Sequence, residues 1–408
     1  MMLLNKENEA DKIKGMNESY YFDWAAASPF DSDILHKALD ISQSAFANPS
    51  SIHRAGLDAK KILQEYRKRS AFCFGVKEEC LYYTSGGTEG SQIILMSLLL
   101  RPSRGSVVIS GIEHPAVREQ ALMLKHLGWD VITVAPDTDG IVQSDAVLSK
   151  TRDDTALVCV MAVNNETGAI QNVDEIAKKL EEAYPGKKKP KFHVDAVQAA
   201  GKIPLDLSSS SIDSACISGH KLGAPRGIGL LYLKSRQEPF LRGGGQEGGI
   251  RSGTENLFGA VALGLCLEKY CIKNEGDERL SRQKKTTSFF LNELKKIPRC
   301  TLIPSSREDS AYSGSTEYDN RFSPWIVQAA FPGIPSEVLV RSLSEKGIFI
   351  SAGSACSARK NSRPVLEAMN VSEEISSSAV RFSFGYSTTE NDISVLTSAL
   401  KHSVMILS

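Results

Sequence analysis

Two residues of opposite charge lie at or near the ends of short apolar segments in the middle of the chain. Asp195 lies within FHVDAVQ, and Lys221 ends the sequence SGHK, which follows the apolar residues 215–217. A lysine between small residues can pack into a site rather than extend into solvent. One carboxylate and one amine in such positions suit pyridoxal phosphate, which a lysine holds as a Schiff base while an aspartate keeps its ring nitrogen protonated. The pair therefore predicts a pyridoxal phosphate site.

Each of these two residues has an ordinary structural role when it is taken alone. A lysine after a strand is usually solvated in a loop, and an aspartate at a strand end is usually a turn or helix cap. The succession of HVDAVQ and SGHK is far more specific than either residue. We therefore favour the cofactor interpretation for Asp195 and Lys221.

The sequence YTSGGTEG at residues 83–90 predicts a strand end, a turn and an apolar helix from about residue 91 to residue 100. Glycine lets the backbone approach an anion closely, and a helix N-terminus presents free N–H groups to it. Gly87 and Thr88 are therefore candidates for binding a phosphate. A capped helix start is the alternative, because threonine is a good cap.

One of the eight cysteines differs from the others in its surroundings. No CxxC occurs, so the sequence supports neither a zinc site nor a thioredoxin-like motif. Cys159 and Cys216 lie in apolar segments and are expected to be inert core residues. Cys356 lies in SAGSACSARKNS, where small residues permit a mobile loop and Arg359 and Lys360 stabilise a thiolate.

Strands alternate with helices in the first two thirds of the chain, which predicts an α/β fold. The run ALVCVMAV at residues 156–163 is typical of a strand buried on both faces of a parallel sheet, and we expect a further strand at residues 348–350. The glycine-rich stretch at residues 242–256 does not open a helix as GxGxxG, so a dinucleotide fold is not indicated. We expect a polar leader over residues 1–19, a large domain over 20–265 and a small α+β domain over 266–408. Residues 20–30 are expected to pack with the small domain.

Composition excludes some classes of function. The 408 residues include 48 basic and 48 acidic side chains, so the net charge gives no support for nucleic-acid binding. No apolar run approaches the roughly 20 residues needed to cross a membrane. The N-terminal apolar patch is too short for a signal peptide. Residues 1–19 contain no arginine, whereas mitochondrial transit peptides are rich in it. A cytoplasmic location is the default expectation.

The motifs occur in an order that is more specific than any one of them. They are YFDWAAASP, NPSSIHRAG, YTSGGTEG, EHPAV, NNETG, FHVDAVQAAGKIPLD, SGHKLGAPRGIG, GGGQEGGIRSGTEN, SAGSACS and VRFSFGYSTTEND. In this order the chain resembles the cysteine desulfurases, the NifS/IscS-like branch of the class V aminotransferase superfamily. The resemblance runs from about residue 20 to residue 393. It implies a pyridoxal phosphate fold of type I, with a mostly parallel seven-stranded sheet in the large domain, and a homodimer.

The resemblance also implies a role for individual residues. Lys221 would form the Schiff base and Asp195 would pair with the ring nitrogen. The other implied cofactor contacts are His114 stacked on the ring and assisting proton transfer, Gln198 on the ring hydroxyl, Thr88, Ser218 and His220 on the phosphate, and Thr254 reaching in from the partner subunit. Arg381 and Asn165 would bind the substrate carboxylate.

The implied activity is the removal of sulfur from L-cysteine to give L-alanine and a persulfide on Cys356. The sulfur would pass to an iron–sulfur scaffold or another sulfur carrier. Trp24 stands where many relatives have asparagine, and Gly248 where they often have arginine. We expect Trp24 to reshape the substrate pocket.

Two other classes of function stay open at this point. One is another pyridoxal phosphate enzyme, such as a selenocysteine lyase or an aminotransferase. An aminotransferase has no need for Cys356. The other is a scaffold or sulfur-transfer partner without activity. The second is disfavoured because Lys221 and Asp195 are both present.

Overall fold

The computed structural model describes residues 20–208, 211–308, 318–353 and 362–408. Cys356, together with Arg359 and Lys360, lies outside these residues. None of the helices in the described ranges is both long and apolar enough to span a membrane.

Seven strands form a sheet in which only β7 runs against the others. The strands are Leu81–Thr84 (β1), Ser106–Ser110 (β2), Asp130–Val134 (β3), Thr155–Cys159 (β4), Lys191–Asp195 (β5), Ser214–Ser218 (β6) and Gly229–Leu233 (β7). Their order across the sheet is β1-β7-β6-β5-β4-β2-β3. Every residue of β2, β4, β6 and β7 is buried, as expected where helices cover both faces. The predicted mostly parallel seven-stranded sheet is confirmed.

Seven helices belong to this part of the chain. They are Ser32–Ser44 (α1), Arg54–Cys73 (α2), Gly87–Ser97 (α3), Pro115–His126 (α4), Ser144–Ser149 (α5), Val173–Ala183 (α6) and Leu257–Tyr270 (α7). Helix α6 buries one apolar face, formed by Val173, Ile176, Ala177 and Leu180, and Asn172 caps it by accepting from the N–H of Glu175. Helix α7 is buried continuously from Gly259 to Leu267, because it lies against both α1 and α2.

A second, antiparallel sheet has three strands and a core of its own. The strands are Thr301–Ile303 (β8), Ile326–Ala330 (β9) and Ala379–Ser383 (β10), in the order β10-β9-β8. Helices Glu278–Leu294 (α8), Ser336–Ser344 (α9) and Glu390–Leu407 (α12) pack around this core. Helices Pro364–Ala368 (α10) and Glu373–Ser377 (α11) pack instead against the core of the first sheet. In the core of the second sheet the ring of Phe290 meets Phe382 and Phe384 edge to face, at 5.0 and 5.3 Å between centroids.

Residues 21–23 pair with the second part of the chain, whereas residues 25–28 hydrogen-bond to Lys221 and His220 beside the first sheet. Tyr21 pairs with Phe349 and Asp23 with Ser383 through isolated bridges. The strand predicted at residues 348–350 is therefore wrong, because only this single bridge forms there. The predicted domain boundary at residue 265 falls inside α7, and the division into two domains otherwise stays a prediction.

Aromatic side chains near the second sheet contact the part of the chain that surrounds the first sheet. Tyr386 stacks on Tyr270 with 4.0 Å between ring centroids, and its hydroxyl donates to the carbonyl of Gly201 at 3.0 Å. The indole N–H of Trp325 donates to the carbonyl of Lys202 at 2.6 Å. These contacts fix the second sheet against the turn that follows β5.

A buried ion pair anchors the glycine-rich stretch to α2. The Arg67 guanidinium donates to both carboxylate oxygens of Glu247 at 2.6 Å and to the carbonyl of Leu81 at 2.8 Å. Glu247 also accepts from the backbone N–H of Tyr83 at 2.7 Å. The carboxylate and guanidinium are therefore hydrogen-bonded to the main chain of β1 as well as to each other.

The turn at this ion pair suits glycine at position 248. Glu247, Gly248 and Gly249 all have positive φ, at 48°, 60° and 83°. Residues with a side chain rarely adopt this conformation, so an arginine at position 248 would be strained in this turn.

Replacing Arg67 by methionine should lower the free energy of unfolding by about 3–5 kcal/mol, because it leaves the buried Glu247 carboxylate without its counter-ion. Urea unfolding measures the loss. The control is Arg69→Met, which removes exposed ion pairs with Glu65 and Glu268 and a contact with the Tyr66 ring, and should cost about 1 kcal/mol or less. Equal losses in the two variants would contradict the importance of the buried pair.

Candidate active site

A cavity of about 310 Å³ opens at the carboxyl ends of the parallel strands. It is lined by Ala25, Ala26, Gly87, Thr88, His114, Ala116, Met161, Asn165, Asp195, Val197, Gln198, Ser218, His220, Lys221 and Arg381. All the residues predicted for the site line this cavity, apart from Thr254 and Cys356.

Asp195 and Lys221 come from neighbouring parallel strands. Asp195 ends β5, is 5% exposed, and accepts from the N–H of Val197 at 3.0 Å. Lys221 ends a single 3-10 turn directly after β6, and its Nζ donates to the carbonyls of Ala25 and Ala26 at 2.6 and 2.7 Å. The segment that carries Ala25 and Ala26 thus holds the Lys221 amine at the end of the sheet where Asp195 lies.

His114 caps helix α4 and has a defined tautomer when neutral. Its Nδ1 accepts from the N–H of Ala116 at 3.1 Å, so the neutral ring carries its proton on Nε2. Burial lowers the pKa of His114, although nearby Asp195 opposes the change. The side chain can therefore present a neutral N–H to the cavity.

The first turn of α3 lies where the sequence predicts a phosphate site. The helix begins at Gly87, about one turn earlier than predicted, so the free N–H groups of its first turn adjoin Thr88 and the cavity. A Cβ at Gly87 would lie 2.5 Å from Cγ2 of Val197, so the close approach to β5 requires glycine here. Beside it, Ser218 Oγ and His220 Nδ1 are 2.7 Å apart. Burial and the neighbouring Lys221 lower the pKa of His220 to about 4.

A buried lysine that the sequence analysis missed orients Gln198. The Gln198 amide donates to the carbonyl of Ala25 at 2.9 Å and accepts from Lys202 Nζ at 2.5 Å. Lys202 is 4% exposed, and burial, with added repulsion from Lys221 and Arg381, lowers its pKa well below the ordinary value. Its presence in the motif VQAAGK was the only sequence signal.

Arg381 is held by two acceptors on separate parts of the chain. It lies in β10, is 2% exposed, and donates to the carbonyl of Asn165 at 2.8 Å and to Asp23 Oδ1 at 2.7 Å. Within the described ranges its Nε has no hydrogen-bond partner. Asp23, a second residue missed from sequence, both pairs with the guanidinium and fixes its plane.

Glu113 is a third missed residue, directly before His114. Its Oε1 accepts from the Ser110 hydroxyl at 2.5 Å and from the N–H of Met161 at 2.7 Å. Burial raises the pKa of Glu113 to about 8, and the charge of Asp195 adds to the increase. The carboxyl therefore ties β2 to β4 at the edge of the cavity in its neutral form at pH 7.

One described residue of the predicted site is not brought to this cavity. Thr254 is exposed and lines a separate surface cavity between the ends of α1 and α7. Cys356 is outside the described residues, but the chain that leads to it starts beside the site. Ser351 pairs with Arg381 through two backbone hydrogen bonds of 2.7 and 3.2 Å.

The position of Trp24 differs from the one expected. The indole packs against Gly385, where a Cβ would lie 2.0 Å from its ring, and its N–H donates to the carbonyl of Tyr21 at 2.9 Å. Trp24 is not among the residues that line the cavity, whereas the next two, Ala25 and Ala26, are. It supports the cavity wall from behind.

A family model described as aminotransferase class-V matches residues 20–396. The chain belongs to this family. It is 37% identical over 393 residues to the putative cysteine desulfurase IscS 1 of Bacillus subtilis, with 94% of this chain and 97% of that protein covered. It is 34% identical over 380 residues to the cysteine desulfurase NifS of Azotobacter vinelandii, covering 91% of this chain and 89% of that one.

Solved structures with the same fold include two NifS-like proteins. One, titled a NifS-like protein, has a TM-score of 0.84 and 28% identity, and covers 95% of this chain and all of its own. The other, from Rickettsia africae, has a TM-score of 0.79 and 26% identity, with coverage of 94% and 99%.

Pyridoxal phosphate is the cofactor of this family, and the cavity suits it. The Lys221 amine and the Asp195 carboxylate lie in the same cavity as the free N–H groups of α3. Because of the close contact with Val197, position 87 has to be glycine. The backbone there therefore has no side chain that could block an anion. These groups match the aldehyde, the ring nitrogen and the phosphate of the cofactor.

Glu113→Gln should change how stability depends on pH. The pKa of Glu113 is about 8 in the folded chain and about 4.5 in the unfolded chain. Between these two pH values the unfolded chain has released a proton that the folded chain keeps. The free energy of unfolding therefore falls as the pH rises through this range. Glutamine keeps a neutral side chain of the same shape. From about pH 6 to pH 8 the parent should lose roughly 1–3 kcal/mol more than the variant in urea unfolding.

The matched control for this prediction is Glu119→Gln, on the exposed face of α4. It should keep the pH dependence of the parent. If Glu113→Gln also follows the parent at every pH, Glu113 is ionised in the folded protein and the prediction is wrong.

Proposed function

We propose that this chain is a pyridoxal phosphate-dependent cysteine desulfurase. It would take sulfur from L-cysteine, release L-alanine and hold the sulfur as a persulfide on Cys356. The proposal rests on the convergence of Lys221, Asp195 and Arg381 on one cavity, in a chain whose relatives are named cysteine desulfurases.

Asp195 and Lys221 have complementary tasks in this reaction. Bound pyridoxal phosphate supplies an electron sink for breaking the Cα–H bond of the substrate. Asp195, as a nearby negative charge, would keep the ring nitrogen protonated. Lys221 would attach the cofactor and, once the substrate amine replaces it, would move the proton at Cα. The neutral His114, with its proton on Nε2, would assist from the ring face.

Arg381 would bind the carboxylate of the substrate. Asn165 and Asp23 accept one hydrogen bond each, which fixes the guanidinium plane while other N–H groups stay available for a planar carboxylate. Because Asp23 balances the charge of Arg381, the arginine is buried with a counter-ion before substrate binds. This supports a carboxylate site that is formed in advance.

Cys356 would attack the sulfur of the bound substrate as a thiolate. The bond between the substrate's Cβ and sulfur breaks, the new S–S bond is the persulfide, and the carbon product leaves as L-alanine. From Gly353 to Cys356 the chain advances three residues, at most roughly 11 Å. An added Cβ at Gly353 would lie 3.5 Å from the carboxylate of Glu166, which follows the cavity residue Asn165. This short tether supports the role of Cys356.

A homodimer and a sulfur acceptor belong to the same proposal. Thr254 is exposed and beside it Phe46 is 82% exposed in the same surface cavity. Covering this surface with a second copy would bury Phe46 and let Thr254 reach the partner's cofactor. The acceptor would be an iron–sulfur scaffold or a sulfur-carrier protein. The cytoplasmic location stays a prediction.

Lys221→Ala should lose both the covalent attachment of pyridoxal phosphate and turnover, because the substituted side chain has no amine. Borohydride reduction followed by mass spectrometry should show the cofactor on the parent and not on the variant. Lys234→Ala, a lysine just after β7, is the control and should keep the adduct. A cofactor adduct that persists in Lys221→Ala would place the Schiff base on another lysine.

Cys356→Ser should still bind pyridoxal phosphate but form no persulfide, and alanine production should fall by at least about 10³-fold, as expected when an enzyme loses its nucleophile. Single-turnover mass spectrometry with L-cysteine should place one added sulfur on Cys356 of the parent. Cys300→Ser is the control, since burial raises the pKa of that thiol to about 12. Alanine release at the parent rate in Cys356→Ser would favour the other pyridoxal phosphate enzymes, such as a selenocysteine lyase or an aminotransferase.

A further inference from the structure

Two cysteines that have no part in the desulfurase site meet at the ends of adjacent helices. Cys73 is the last residue of α2, and Cys271 is the cap that follows α7. The Cys271 thiol donates to the carbonyl oxygen of Cys73 at 3.3 Å, and each of the two thiols shifts the pKa of the other. Residues far apart in the sequence thus place their sulfur atoms side by side.

This thiol pair lies just below the surface. Cys73 and Cys271 are 9% and 6% exposed, whereas the neighbouring Phe72 is 73% exposed. Lys273 places its Nζ 4.6 Å from the Phe72 ring, and both of these exposed residues are close in sequence to the pair. The two thiols therefore lie next to exposed chain rather than deep in the core.

We propose that Cys73 and Cys271 form an oxidisable thiol pair, which hydrogen peroxide converts to an intramolecular disulfide. The Cys271 thiolate attacks one peroxide oxygen and becomes a sulfenic acid, while the other oxygen leaves as hydroxide and takes up the thiol's proton to form water. The Cys73 thiol then attacks the Cys271 sulfur, the S–S bond forms, and the sulfenic oxygen leaves as a second molecule of water. Two thiols are oxidised and one peroxide is reduced.

The surroundings distinguish the attacking sulfur from the resolving one. The hydrogen bond from Cys73 lowers the pKa of Cys271, and Lys273 and Arg279 lower it further, because positive charge stabilises a thiolate. The hydrogen bond and burial raise the pKa of Cys73. The guanidinium of Arg279 also donates to the Cys271 carbonyl at 3.0 Å, so this charge is fixed near the sulfur.

The disulfide would act where the chain passes from α7 to α8. Cys271 begins that connection, and the preceding residue, Tyr270, stacks on Tyr386 after β10. Joining Cys271 to α2 would restrain this connection and close a long loop in the unfolded chain. Oxidation should therefore raise the thermal unfolding midpoint of the holoenzyme.

The test is peptide mapping of the holoenzyme after brief treatment with hydrogen peroxide. Remaining thiols are alkylated under denaturing conditions and the chain is digested without reductant. A peptide cross-linked between Cys73 and Cys271, with the loss of two hydrogen atoms, is the expected product, and dithiothreitol should remove it. If both residues are alkylated after Cys356 has been oxidised, the proposal is overturned.

Three variants sharpen this experiment. Cys266→Ser is the matched control, since this thiol is buried in α7 but does not contact the pair, and the cross-link should persist. In Cys73→Ser, dimedone should trap a sulfenic acid on Cys271. In Cys271→Ser, Cys73 should stay unlabelled. Labelling of Cys73 there, with none of Cys271 in Cys73→Ser, would overturn the assignment of the attacking thiol.

Discussion

The carbonyls of Ala25 and Ala26 accept hydrogen bonds from Lys221 and link the two sheets at the site. The segment that carries these carbonyls pairs with Ser383 of the second sheet through Asp23. It also reaches the first sheet, because the Ser28 N–H donates to the carbonyl of His220 at 2.8 Å. Lys221, Arg381 and the turn before α3 therefore keep their relative positions only while this segment stays bound on both sides.

Burial controls charge around the cavity as much as ion pairing does. Burial raises the pKa of Glu113 and lowers the pKa of Lys202, so it favours the neutral form of both groups near Asp195. Arg381, which has to meet an anion, is instead paired with Asp23. In the proposed function, Asp195 and Arg381 are the charged groups that would meet the ring nitrogen and the substrate carboxylate, while neutral polar groups hold the surrounding main chain.

The sequence was most informative where a function depends on local pattern. Asp195 and Lys221 each follow a short apolar strand, and those strands are neighbours in the sheet, so their convergence could be predicted. Asp23, Glu113 and Lys202 were missed because their roles depend on partners elsewhere in the fold. The apolar run at residues 156–163 is longer than the strand it predicts, because the strand ends at Cys159. The later residues are also buried, but they lie beside the cavity and form no part of the sheet.

The pairing of Asp23 with β10 determines when the site can be assembled during synthesis. Asp23 leaves the ribosome 358 residues before Arg381, its partner in β10. The seven strands of the first sheet are complete long before, at Leu233. A nascent chain can therefore fold most of its scaffold while Ala25 and Ala26 still lack their anchor, and a stable lysine site is a late event of biosynthesis. Ribosomes that stop before β10 would release chains with a sheet but without a completed cofactor pocket.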